Sequence, residues 1–132
     1  MSTMTARIVH VSIDRHWQEV YGFASRPENM PLWASGLTSG LTLDGEDWIT
    51  SGVLGSARIR FTPHNEFGVI DHVVTLESGL RVHNALRVVP NGDGAEVMFT
   101  LLRLPGMTDE QFAADEQHIS KDLHTLKTLM EQ

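Results

Sequence analysis

The segment from Thr108 to about Met130 constrains the fold more than any other part of this sequence. Thr108 and Gln111 have the spacing of a capping box, Asp109 and Glu110 suit the positive end of a helix dipole, and Met107 stands where it can staple onto Phe112. Beyond that start, Phe112, Glu116, Ile119, Leu123, Leu126 and Met130 recur at intervals of three and four. They form one stripe, apolar except at Glu116, so the pattern predicts a long amphipathic helix. A stripe of that length must be buried against another layer.

The preceding sequence supplies the layer. Residues 7–13 alternate, with Val9, Val11 and Ile13 on one side and Ile8, His10 and Ser12 on the other, which is the pattern of a half-buried strand. A helix is expected next, with Asp14 as N-cap and Trp17, Val20, Tyr21 and Ala24 on one face. Ser25, Pro27 and Glu28 read as a second helix start, which Pro31 keeps short. From residue 36 to 104, turn residues separate short alternating runs, as in an antiparallel meander, with Asp44-Gly45 and Asn91-Gly92 as the clearest turns.

The more apolar parity of each run assigns a core face. It holds Leu37, Leu41 and Leu43; Ala57, Ile59 and Phe61; Ile70, Val74 and Leu76; Val82, Leu86 and Val88; and Val97, Phe99 and Leu101. In the last run Met98, Leu102 and Leu104 make the opposite parity nearly as apolar, and either face remains open there. The order of elements is a strand, two short helices, an antiparallel sheet of about six to seven strands, and one long helix across it. That is an α+β chain.

Composition removes several kinds of chemistry. The 132 residues fit one domain, expected over 1–132. There is no Cys, which excludes thiolate nucleophiles, disulfides and cysteine-ligated metals. Ten Lys and Arg against 17 Asp and Glu give a net charge of −7, a poor basis for neutralising phosphates, so no nucleic-acid partner is expected. Without a run of 18 apolar residues or a charged start leading into an apolar stretch, the expectation is a cytoplasmic protein with no membrane insertion. His118 and His124, six apart, lie about 120° apart around a helix, so no metal site is expected from them. The turns at residues 52–56 (GVLGS) and 91–94 (NGDG) lack the lysine or third glycine of a phosphate cradle, and no cofactor is expected.

The string VYGFASRPENMPLW, with Val20, Tyr21, Phe23, Pro27, Glu28, Asn29, Pro31 and Trp33, resembles the bacterial polyketide cyclase/dehydrase-like group of the SRPBCC superfamily, which also holds the START and birch-pollen-allergen-like proteins. NEFGVIDHVVTL (residues 65–76) and the stretch of residues 87–131 are similar to a bacterial subgroup of it, so the resemblance spans almost the whole chain. Arg26 departs from the acidic cap that many members carry before the proline, which passes the cap to Ser25. The resemblance implies a helix-grip fold: a strongly curved sheet wrapped around the C-terminal helix, with an apolar cavity between them for a lipid-, aromatic- or polyketide-like molecule. The same fold serves enzymes and carriers, so the family sets the ligand class better than the activity.

Strand parity turns three polar groups inward: His72 and Asn84 on neighbouring strands, and Glu116 on the helix stripe. A His beside a carboxylate in a dry cavity can move a proton, and Asn84 could hold a substrate oxygen. Asp71 cannot join His72 directly, because adjacent strand residues point to opposite faces. His64 reads as a turn residue and His83 lies on the parity of Arg81 and Arg87, a solvated face. For ligand contact the candidates are Met30 near the mouth, Trp33 and Phe99 in the pocket, and Ile119 and Leu123 at mid-helix, while Trp17 and Tyr21 seal the first helix to the sheet. Three functions remain: binding of a small apolar or aromatic molecule, cofactor-independent cyclisation or dehydration with His72 and Glu116 as acid and base, or protein interaction of the co-chaperone activator kind. An exposed apolar patch would point to a homodimer.

Overall fold

Strand β1 (Ala6–Ile13) buries Val9, Val11 and Ile13, as the alternation predicts. In the computed structural model, which describes residues 2–37, 40–52 and 55–132, helix α1 (Trp17–Ala24) follows and buries Val20, Tyr21 and Ala24. Its N-cap is His16, whose ring accepts from the Gln18 N–H, and not Asp14, which sits two residues too early and gives its own N–H to Glu131. The second helix is a 3₁₀ turn, Pro27–Leu32, capped at the extended Arg26 with no side-chain bond. Ser25 does not cap it, because it is already folded in helical geometry as the end of α1. A further 3₁₀ turn spans Ser35–Leu37.

The meander is β2 (Thr42–Asp44), β3 (Asp47–Gly52), β4 (Gly55–Phe61), β5 (His72–Leu76), β6 (Arg81–Asn91) and β7 (Gly94–Leu102). Neighbouring strands pair antiparallel in one seven-stranded curved sheet of order β1-β7-β6-β5-β4-β3-β2. The pairings Asp44↔Asp47 and Asn91↔Gly94 close two-residue hairpins at the two expected turns, each with a positive-φ glycine in its first loop position. Of the residues 52–56 turn, Val53 and Leu54 lie outside the described residues.

Two core-face expectations fail: Leu76, at the end of β5, is 39% exposed, and the run at residues 37–43 does not form. Leu37 sits in a 3₁₀ turn and Leu43 is 57% exposed on a three-residue edge strand, so residues 37–43 are not one core strand. Among the described residues, Leu43 stands uncovered at the edge of the sheet. In β7 the structure selects Val97 and Leu101 as buried and leaves Met98 and Leu102 half-buried on the other face.

Helix α2 (Asp109–Met130) begins with the expected capping box and buries Phe112, Leu123, Leu126 and Met130. It lies along β1 and β7. Its far end is tied to β1: Lys127 donates to the Ser12 carbonyl, and Glu131 accepts from the Asp14 N–H. Sheet and helix together make the helix-grip arrangement, with the core between α2, α1 and the concave face of β1, β7 and β6.

Candidate functional site

Space remains between α2, the segment after α1 and the sheet. An inner chamber of about 110 Å³ is walled by Met30, Trp33, Ala34 and Leu37 from the segment after α1, by Ile59, Phe61, His72, Leu86 and Phe99 from the sheet, and by Ile119, Asp122 and Leu123 from α2. A larger mouth of about 310 Å³ opens beside it, with Val82, Asn84, Leu101 and Met107 in its walls. Phe99 and Ile119 belong to both, so they stand between chamber and mouth. Met30, Trp33, His72, Phe99, Ile119 and Leu123, chosen from the sequence, are thereby brought around one space, and Asn84 adjoins it.

The cross-strand register explains how the polar pair meets. His72 faces Asn84 across β5 and β6, and Phe61 faces His72 across β4 and β5. Directly opposed side chains share a face, so all three project to the concave side. The His72 and Phe61 rings lie 5.3 Å apart, tilted by 47°.

His72 Nδ1 lies 2.9 Å from the Ile70 carbonyl, an acceptor only, so this nitrogen carries the hydrogen. Nε2 then holds the lone pair in the neutral ring and faces the Asn84 amide nitrogen at 3.4 Å, a long and weak bond. Burial pushes the imidazole below its ordinary pKa, against the opposing pull of the Ile70 carbonyl and the Asp71 charge. His72 is therefore a neutral base with its lone pair on the cavity side of the sheet.

The same residues interrupt the sheet. Ile70 N–H donates to the Leu86 carbonyl, but the return bond is missing: Asp71 Oδ1 takes the Leu86 N–H at 3.0 Å, and His72 takes the Ile70 carbonyl. Two adjacent side chains replace one rung of the ladder, each from its own face. Asp71 pairs outward with Arg87, Oδ2 to Nη2 at 2.8 Å. Burial works to raise the Asp71 pKa, but the Arg87 and Leu86 donors outweigh it and hold the carboxyl below its ordinary value. The loop before this break is organised by Asn65, which bonds the backbone of Pro63, Phe67 and Val69 and gives its own N–H to the Tyr21 hydroxyl. At Gly68 (φ +72°) an added Cβ would lie 2.0 Å from the Val88 carbonyl oxygen, so only glycine lets the loop close on β6.

Glu116 is not brought into this group. It pairs with Arg7 at 2.5 Å near the start of α2, where both side chains keep solvent contact. Arg7 also lies over the Phe112 ring. The carboxylate that does wall the chamber is Asp122, which parity-based reading of the sheet missed. Its signal was present, since Asp122 follows Ile119 by three residues on the apolar face of α2.

Asp122 Oδ1 accepts from both the N–H and the hydroxyl of Ser35, at 3.2 and 2.8 Å, and His118 Nε2 lies 3.0 Å from the same hydroxyl. This is no catalytic triad. The Ser35 proton already goes to Asp122, and His118 meets serine and carboxylate through one nitrogen. It is a latch that holds the second 3₁₀ turn against α2. Among the described residues, no group of three or more side chains is arranged to hold a metal, and no helix is long and apolar enough to cross a membrane.

No protein-family model matches the chain, and no curated protein matches its sequence. Solved structures do match. The Aha1 dimer from Colwellia psychrerythraea superposes with TM-score 0.76 at 15% identity, over 97% of each chain. DynU16, of the dynemicin biosynthetic locus, gives 0.74 at 14% identity, over 96% of this chain and 47% of that one. CalU16 from Micromonospora echinospora gives 0.68 at 13% identity, over 94% of this chain and 73% of that one. At these identities the likeness establishes the fold and not the activity.

Proposed function

We infer that this chain is an SRPBCC-type binding protein for a small apolar or aromatic molecule, held between the concave sheet face and α2. One observation supports this above others: a walled apolar chamber inside the helix-grip that has one half-buried, neutral imidazole in its wall. Burying about 200 Å² of apolar ligand surface there is worth roughly 5 kcal/mol before association costs. Micromolar affinity then needs polar contacts, which His72 and Asn84 are placed to make. The occurrence of the fold at a biosynthetic locus, in DynU16, is in keeping with such a ligand.

Native mass spectrometry of the freshly purified protein, followed by organic extraction, tests the reading. A stoichiometric apolar adduct that leaves on extraction supports it. A clean protein that gains no stability from a panel of lipids and aromatics, where a ligand at 100 times its Kd should add about 2.7 kcal/mol, overturns it.

The His72 tautomer favours a second reading, cofactor-independent proton transfer. Nε2 would take a proton from carbon next to a ligand carbonyl, leaving an imidazolium and an enolate whose oxygen Asn84 could hold. His72→Ala separates the two: turnover lost with binding kept supports catalysis, whereas a change in affinity alone supports a carrier. Self-association is proposed as well, since Leu43 on edge strand β2 and Leu76 and Leu80 at the β5–β6 turn are exposed, and one structural neighbour is a dimer. Light scattering showing only monomer across the micromolar range would remove it.

A further inference from the structure

The mouth opens where two strands part. Pairing between β6 and β7 stops at Ala85↔Thr100, although β6 reaches back to Arg81 and β7 runs on to Leu102. The strand ends that do not pair with each other, residues 82–84 and 101–102, line the mouth, and α2 closes it with Asp115, His118 and Ile119. Asp115 is half-buried there and, among the described residues, forms no hydrogen bond or ion pair. By contrast, Asp109, Glu116 and Asp122 on the same helix hold Arg103, Arg7 and Ser35.

The walls limit the charge of an occupant. With the histidines neutral, Asp115 is the only formal charge among the described residues of the mouth wall, and Asp122 the only one in the chamber wall. Neither wall contains Lys or Arg. An anionic ligand would stand beside a like charge with no cation to pair it, whereas a cation would meet an unspent carboxylate. Asn84 adds a neutral acceptor, because its Nδ2 faces His72 Nε2 and leaves Oδ1 for a donor. Size narrows the class further. An engineered apolar cavity of about 150 Å³ holds benzene, so a chamber of about 110 Å³ suits a single small ring. Asp115 precedes Ile119 by one helical turn, about 6 Å along α2, which is within reach of a short alkyl linker.

We propose that this cavity selects an arylalkyl amine: the ring lies in the chamber, the linker passes Phe99 and Ile119, and the protonated amine pairs with the Asp115 carboxylate in the mouth. Asp115 is thus a specificity residue that distinguishes a cation from a neutral or anionic molecule of the same shape. This rests on the ligand-binding reading above.

The probes are phenethylamine, phenethyl alcohol and phenylacetate, which share a ring and a short linker and differ in terminal charge. Their affinities are measured at pH 8 for the wild-type chain, Asp115→Asn and Asp93→Asn. Wild type should bind the amine most tightly and phenylacetate least. Asp115→Asn should lower the preference for amine over alcohol by roughly fivefold, the worth of a partly solvated ion pair. Using a ratio cancels any loss of packing common to both probes. Asp93→Asn removes the same charge in the β6–β7 turn, at the opposite end of these strands from the mouth, and should leave the ratio unchanged. Asp115 holds no other group in the fold, so its substitution should spare stability. If the probes bind but the ratio is the same in Asp115→Asn, or falls equally in Asp93→Asn, the amine assignment is overturned and the cavity reading stands. A wild-type preference for phenylacetate overturns it without any variant. If none of the three binds at millimolar concentration, the cavity reading falls and takes the assignment with it.

Discussion

The two halves of the sheet do different work. Under α2 and α1, the β1, β7 and β6 half is sealed: Val88 and Val97 are completely buried. Across the β2–β5 half, one row of opposed residues, Leu43, Trp48, Ile59 and Val74, starts 57% exposed at Leu43 and reaches 4% at Ile59. Both halves carry the same alternation on the same concave face. The difference lies in what covers them, since one helix cannot span seven strands. The chamber forms at the boundary, where cover from α2 gives out and the segment after α1 only partly replaces it.

If this contrast is right, equal truncations in the two halves have unequal costs. Leu126→Ala, at a fully buried position on α2, should lower unfolding stability in urea by about 3 kcal/mol. A loss below about 1 kcal/mol would mean the helix is not tightly seated. Gly68→Ala should cost roughly 2 kcal/mol or more, because its Cβ collides with backbone at the Val88 carbonyl and its φ is positive.

The boundary is sharpened by pH. The folded pKa of His72 lies below its ordinary value of 6.5, so just below that pH the unfolded chain binds a proton that the folded chain refuses. Stability should therefore fall as pH drops through 6.5 toward the folded value, by up to about 1.4 kcal/mol per pH unit from this group. His72→Gln should flatten that part of the curve relative to wild type. Asp71, whose folded pKa is lowered from 3.8, acts in a separate and more acidic window, where protonating it removes stability. An unchanged slope in His72→Gln would show that the ring is not kept neutral by the fold. The smallest effect is expected at Leu43→Ala, within about 0.5 kcal/mol, and a loss as large as that of Leu126→Ala would abolish the distinction between the halves.

Much of this organisation is legible in the chain itself. Period and capping determine β1, the hairpin turns at Gly45 and Gly92, and α2 from its Thr108 cap to Met130, because those signals depend on neighbours within a few residues. Strand parity also places His72 and Asn84 on one face, since a regular strand leaves only two directions. Other features have no local signal. Whether Leu43 is covered, which parity of β7 faces inward and that Glu116 meets Arg7 all depend on where α2 crosses the sheet. The exchange of a ladder bond for the side chains of Asp71 and His72 likewise needs two strands in register. Local periodicity decides what each segment is and which way its side chains point. Long-range packing decides which of them lose water, and the chemistry of His72 follows from that loss.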